Sequence, residues 1–219
     1  MKLKRMAIPL LVMVTLVIGA CAPLSSLQGA LLAANTGEVL FWDDFSNPDS
    51  GWDTWNTSGS WAAYQGGGLR IVVLEPNFDF WSRPGKRYAD IRLDVKATKF
   101  GGPDDNRFGI LCRYQNTANY YAFFITSDGY AGIVKVKDGA AQVISNGGMQ
   151  YREEIQKGAA VNRISVDCID ASLALRVNDY RLLEAEDFDF TSGEIGLIAG
   201  SYNNPGVDIY FQDFLATKP

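Results

Sequence analysis

The chain contains no histidine. That excludes a Ser-His-Asp or Cys-His catalytic arrangement and any zinc site built on imidazole. Cysteine is scarce as well, three in 219 residues, too few for a disulfide-framed miniature fold. Basic residues are outnumbered by 25 acidic to 20, with no Lys/Arg stripe, so the cationic footprint that phosphate backbones require is missing and nucleic acid is not an expected partner. No segment combines a glycine-rich loop with an opening helix. The Gly66-Gly67-Gly68 run is therefore read as a turn, and not as a phosphate cradle.

One long apolar run is present, and it is N-terminal. Lys2, Lys4 and Arg5 precede a stretch from Met6 to Ala20, shorter than the ~20 residues a permanent spanning helix needs. Ile18-Gly19-Ala20-Cys21 closes it and resembles a bacterial lipobox, which implies cleavage before Cys21 and lipidation of its thiol. Expected boundaries are a lipoprotein signal peptide at 1–20, a lipidated Cys21 and tether at 21–38, and one domain at 39–219. Removing the three leader cations leaves 17 basic against 25 acidic residues, a balance of −8. The expected location is the outer face of a bacterial membrane, with the lipid as the sole membrane contact.

From Val39 onward the pattern is that of strands. The clearest stretch runs from Arg107 to Gly139, where RFGILCRY, NYYAFFIT and YAGIVKVK are separated by QNTA and SDG. Aromatic and β-branched residues fill the runs, and Asn, Asp and Gly fill the breaks. WAAYQGGGLRIVVL reads as a hairpin, YADIRLDVKATKF as a half-buried strand, NRISVDCIDASLALRVNDYRLLEAE as a long hairpin, and GEIGLIAGS and VDIYFQDFLAT as closing strands. Glu75 to Tyr88, which holds Pro76 and Pro84, reads as an irregular or edge segment. Twelve to fourteen strands with no amphipathic helix predict an all-β, two-sheet antiparallel sandwich.

Strict alternation assigns faces to the central strands. Phe108, Ile110, Cys112 and Tyr114 share one side, and Tyr121, Phe123 and Ile125 share another. Taking the uncharged sides as core leaves an outer face carrying Arg113, Tyr120, Phe124 and Lys135. Rings that stack on sugar C–H faces, with donors beside them for hydroxyls, are what carbohydrate recognition uses; a loop covering those rings is the alternative. Trp81, between prolines, is the candidate rim aromatic. Trp42, Trp52, Trp55 and Trp61 either form a platform or brace an irregular N-terminal segment. Cys112 and Cys168 both fall on apolar strand sides. In an exported protein they are expected to pair, two separate buried thiols being the alternative.

Several pieces in order, Asp43-Asp44-Phe45, GGLRI, NYY, a V-N turn, GEIGL and a terminal QDF, resemble the concanavalin A-like lectin/glucanase superfamily, in particular its laminin-G-like and keto-disaccharide-hydrolase-like jelly rolls. The resemblance covers Val39 to Pro219 and implies a jelly roll with a carbohydrate-holding face. It also implies a calcium site, for which Asp44, Gly67 and Asp213 occupy the matching places and Asp104-Asp105 is a weaker choice. The E-x-D-x-x-E motif of the superfamily's glucanases is absent. The expected function is therefore non-catalytic binding of a glycan or polysaccharide, with no cofactor beyond that calcium. The alternatives are a hydrolase of the keto-disaccharide type and a protein-binding cell-envelope module.

Overall fold

The computed structural model describes residues 37–57 and 59–219; the leader, Cys21 and the tether up to residue 36 lie outside the described residues. The described part consists of strands and connections. In chain order the strands are β1 (Val39–Asp43), β2 (Trp55–Asn56), β3 (Ser60–Tyr64), β4 (Leu69–Val73), β5 (Asp79–Ser82), β6 (Arg87–Tyr88), β7 (Ile91–Gly101), β8 (Asn106–Asn116) and β9 (Asn119–Ile125). They continue as β10 (Tyr130–Lys137), β11 (Ala140–Val143), β12 (Gln150–Tyr151), β13 (Val161–Ile169), β14 (Ser172–Val177), β15 (Tyr180–Glu186), β16 (Gly193–Ser201) and β17 (Val207–Thr217). The apparent long hairpin after Asn162 is thus three strands, because Asn178-Asp179, both at positive φ, turn the chain a second time.

Two antiparallel sheets result. A nine-stranded sheet runs β15-β14-β13-β7-β17-β4-β3-β2, with β1 paired to β17. An eight-stranded sheet runs β11-β10-β9-β8-β16-β5, with β12 on β10 and β6 on β16. The inner faces form one core: Phe108, Ile110, Tyr121, Phe123 and Ile133 from the eight-stranded sheet meet Ile71, Leu93, Val95, Val166, Leu175 and Phe211 from the nine-stranded one. A disulfide joins Cys112 of β8 to Cys168 of β13, one cysteine from each sheet, both buried.

The N-terminal bend is organised around buried Asp43. Its carboxylate accepts from the Phe45 amide (2.7 Å) and the Trp52 indole (2.9 Å), and Tyr64 donates or accepts at Ser50 and accepts from the Trp52 amide. Trp52 packs against Phe45 and Phe214, so this tryptophan braces the irregular segment. The outer face of the nine-stranded sheet is laced by cross-strand ion pairs, with Asp167 between Arg92 (2.7 Å) and Arg176 (2.6 Å), and Asp94 beside Arg163 (3.2 Å).

Two outcomes follow from these linkages. The disulfide closes a loop with a sequence separation of 56. By chain entropy, replacing both cysteines with alanine should lower unfolding stability by about 4 kcal/mol in urea titrations. The Asp167 pKa is set by opposing effects: burial raises it, but the Arg92 and Arg176 hydrogen bonds outweigh burial and the net shift is downward. Its stabilising contribution is therefore present above the unfolded value of about 3.9 and is lost as pH falls through the lower folded value. Asp167→Asn should cost roughly 1–3 kcal/mol at pH 7 and have a smaller effect in acid, which urea unfolding at the two pH values would measure.

Candidate functional site

The second cluster of apolar side chains lies on the other side of the eight-stranded sheet. Leu111, Tyr114, Tyr120, Ala122, Phe124, Val136 and Ile198 gather there, with Trp81 and Val134 against them. Antiparallel sheets usually turn a polar face outward, so an apolar outer face calls for an explanation.

β5 builds the accessible side of this face. It is an edge strand, and alternation sends Asp79, Trp81 and Arg83 to the same side. The preceding segment holds it in place. The Asp53 amide donates to Arg83 O (2.9 Å), Ser82 Oγ to Asp53 O (2.7 Å) and the Trp55 indole to Trp81 O (2.9 Å). The neighbouring strand β16 presents Gly200, Ile198 and Gly196 opposite these residues. A Cβ at Gly200 would overlap the Asp79 carboxylate, and one at Gly196 would crowd Arg83 Cγ, so two glycine notches seat the two charged groups. Trp81 stands between them over Ile198.

Each charged residue is paired. Arg107 of β8 reaches across Gly200 to Asp79 (Nε to Oδ1, 2.5 Å) and lies over the Tyr202 ring, 4.5 Å from its centroid. Arg83 binds Glu194 (2.8 Å) and Asp53 (3.1 Å) and lies over Tyr114, again at 4.5 Å. Arg87 adds a weaker contact to Glu194 (3.5 Å). Burial pushes the Asp79 carboxyl up against the pull of Arg107. Burial acts to lower Arg107, but Asp79 outweighs it and holds the guanidinium above its ordinary value. Arg83 Nε is buried without a hydrogen-bond partner among the described residues. Trp81, Tyr114 and Tyr120 are mutually 5.8 Å apart, centroid to centroid. The Tyr120 phenol is pushed up to about 12 by burial, with the Asp79 charge adding to the shift.

Of the residues expected on the outer face, Trp81, Tyr120 and Phe124 come together and Arg113 and Lys135 do not. Tyr120 and Phe124 are 6% and 4% exposed, so they form the floor, and Trp81 beside them is half-buried. Arg113 sits at a β-bulge with φ of 54°, where alternation breaks. Its guanidinium turns into the protein and donates to the carbonyls of Asp170 (2.7 Å), Phe190 (2.9 Å) and Ala89 (3.2 Å) and to Asp90 Oδ1 (3.2 Å). The same bulge turns Tyr114 out of the core side and onto the apolar outer face. Lys135 pairs in register with core-facing Tyr121, which places Val134 and Val136 on the outer face instead. Its ammonium is held at the sandwich margin by Asp187 and by Asp189 (2.7 Å). Choosing the uncharged side of β10 as core fails because a lysine at a sheet margin can place its head beside carboxylates from a neighbouring loop.

The two carboxylates expected to hold calcium have protein partners. Asp44 accepts from the Ser46 amide (2.9 Å) and Asp213 is bound to Lys96 (2.7 Å). Gly67 lies in the β3–β4 turn, which Tyr210 braces by donating to Gly66 O (2.7 Å). Among the described residues no three acidic side chains gather where they could hold a metal ion. Asp104 of the weaker choice is bound to Lys99.

Sequence reasoning missed Asp79, Arg83, Arg107, Tyr114 and Glu194. The D-F-W-S-R alternation was a visible signal for the first two, masked by the flanking prolines. A second aromatic group, on the nine-stranded sheet, consists of Trp61 and Phe100 flanking Arg70 at 5.4 and 5.6 Å, with Phe100 stacked on Tyr210. There Arg70 is already spent on Asp208 and Gln65, and the rings pack on it.

No family model and no curated protein matches the sequence. Solved structures of similar fold are found. The carbohydrate-binding module CBM66 from Bacillus subtilis superposes with a TM-score of 0.62 at 17% identity, covering 77% of this chain and 96% of that one. A Bacillus subtilis protein of unknown function with a galectin-like fold reaches 0.64 at 10% identity, covering 84% and 97%. The Bacillus licheniformis β-glucanase gives 0.60 at 13% identity, covering 84% and 100%. At such identities the likeness speaks to architecture alone, and with the two antiparallel sheets described above it shows that the domain is a jelly-roll sandwich of the concanavalin A-like fold.

Proposed function

We propose that this domain binds a glycan on the outer face of the eight-stranded sheet and does not cleave it. The observation that carries the reading is the Asp79–Trp81–Arg83 stripe on β5, an aromatic ring flanked at both ends by ion pairs seated in glycine notches. Sugar rings offer C–H faces to an indole, and hydroxyls to paired donors and acceptors. The similar fold of a carbohydrate-binding module supports the reading.

Binding without cleavage rests on the state of the carboxylates. Glycoside hydrolysis needs one carboxyl to give a proton and another to attack or to activate water. Here Asp79 and Glu194 are both engaged by guanidinium groups. The β-glucanase of similar fold favours a hydrolase as the second reading.

The lipobox-like segment supports placing the protein at the outer face of a bacterial membrane through lipidated Cys21. A disulfide between the sheets fits an oxidising compartment.

Calorimetric titration with soluble oligosaccharides tests the site. Trp81→Ala should weaken binding about 30-fold, as loss of a central aromatic anchor does, while Trp61→Ala and Lys135→Ala stay within about twofold. Equal loss from Trp61→Ala would move the site to the other sheet. Reducing-sugar release that disappears in Asp79→Asn would replace the binding reading with the hydrolase.

A further inference from the structure

The ion pairs on this face carry a consequence for the kind of glycan it accepts, one that rests on the glycan-binding reading above. Three cations belong to these pairs: Arg83, Arg87 and Arg107. Three carboxylates answer them: Asp53, Asp79 and Glu194. No guanidinium among these lacks a carboxylate. The face is charge-balanced inside a chain whose acidic residues outnumber its basic ones.

We infer that the face selects neutral, hydroxyl-bearing glycans and rejects chains carrying uronate or sulfate. A hydroxyl donates and accepts, so it can receive an N–H from the arginine and give its proton to the carboxylate of the same pair, leaving the pair intact. A uronate or sulfate oxygen only accepts. It can take an N–H from the guanidinium but has no proton to give the carboxylate of the same pair, so it sets a second negative charge against that partly buried carboxylate. The glycine notch keeps the carboxylate from turning away from such a charge. Asp79 and Arg107 meet in the space of the missing Gly200 side chain, and their side chains are only 24% and 16% exposed. Specificity here comes from what the pairs repel as much as from what they hold.

Affinity electrophoresis of the purified, disulfide-intact protein tests this, with gels containing dextran, galactan, mannan or mixed-linkage β-glucan set against dextran sulfate, polygalacturonate and alginate. The expected result is retention by at least one neutral polymer, changing less than about twofold between roughly 50 and 500 mM NaCl because no counterion is displaced, and none by the polyanions. The double variant Asp53→Asn/Glu194→Gln releases Arg83 and Arg87 and should gain salt-sensitive retention in polygalacturonate. Wild-type retention by a polyanion, lost at high salt, overturns the neutral-glycan inference and leaves glycan binding standing. A double variant that keeps its neutral ligand and gains no polyanion also overturns it. Retention by no polymer at all overturns glycan binding, and the inference with it.

Discussion

The bulge at Arg113 is the constraint on which the rest of the arrangement depends. One residue in the left-handed region stops the alternation of β8, and two side chains exchange roles. Arg113, which alternation would leave at the surface, is drawn inside and holds three connections at once: Ala89-Asp90 before β7, Asp170 between β13 and β14, and Phe190 before β16. A buried guanidinium costs a great deal unless its donors are met, and here carbonyls and one carboxylate meet them. Burial still lowers its pKa from the usual arginine value. Gly193 fits directly against the bulged backbone, where a side chain would clash, and the disulfide anchors the adjacent Cys112 to the opposite sheet. Tyr114, one step further on, is delivered to the outer face beneath Arg83.

That delivery gives the outer face its character. Tyr114 and Tyr120 make a firm aromatic floor, and the edge strand β5 sets Trp81 on it, flanked by two ion pairs. Edge strands are exposed to unwanted pairing, and this one is zipped on its free side by the Asp53–Trp55 segment. Two of the tryptophans near the N-terminus serve as braces. Trp52 secures the bend around Asp43, and Trp55 stacks on Phe80 (4.7 Å) and bonds to β5.

Much of this architecture was legible in the chain. Period-two alternation with Asn, Asp and Gly at the reversals located β7 to β10, the β3–β4 hairpin and the closing strands, and it placed Phe108, Ile110, Phe123 and Cys112 in the core. Alternation also failed in an instructive way. It carries no memory of a bulge, so Arg113 and Tyr114 were assigned opposite to their true sides. It says nothing of tertiary charge partners, so Lys135 looked like a surface group when Asp187 and Asp189 hold it against the core margin. The pairs Asp79–Arg107 and Arg83–Glu194 link residues 28 and 111 apart, and no local pattern marks such partners. The calcium expectation matched residues by their place in a family pattern, whereas the side chains themselves are engaged by Ser46 and Lys96.

The most direct test of the central claim, that the β5 stripe is the binding surface, is to map amide and indole resonances of the isotopically labelled domain while a neutral oligosaccharide is added. The account predicts that the Trp81 indole and the Gly196 and Gly200 amides shift together, with Trp42 and Trp61 unmoved. Shifts confined to Trp61 and Phe100, with Trp81 silent, would contradict it.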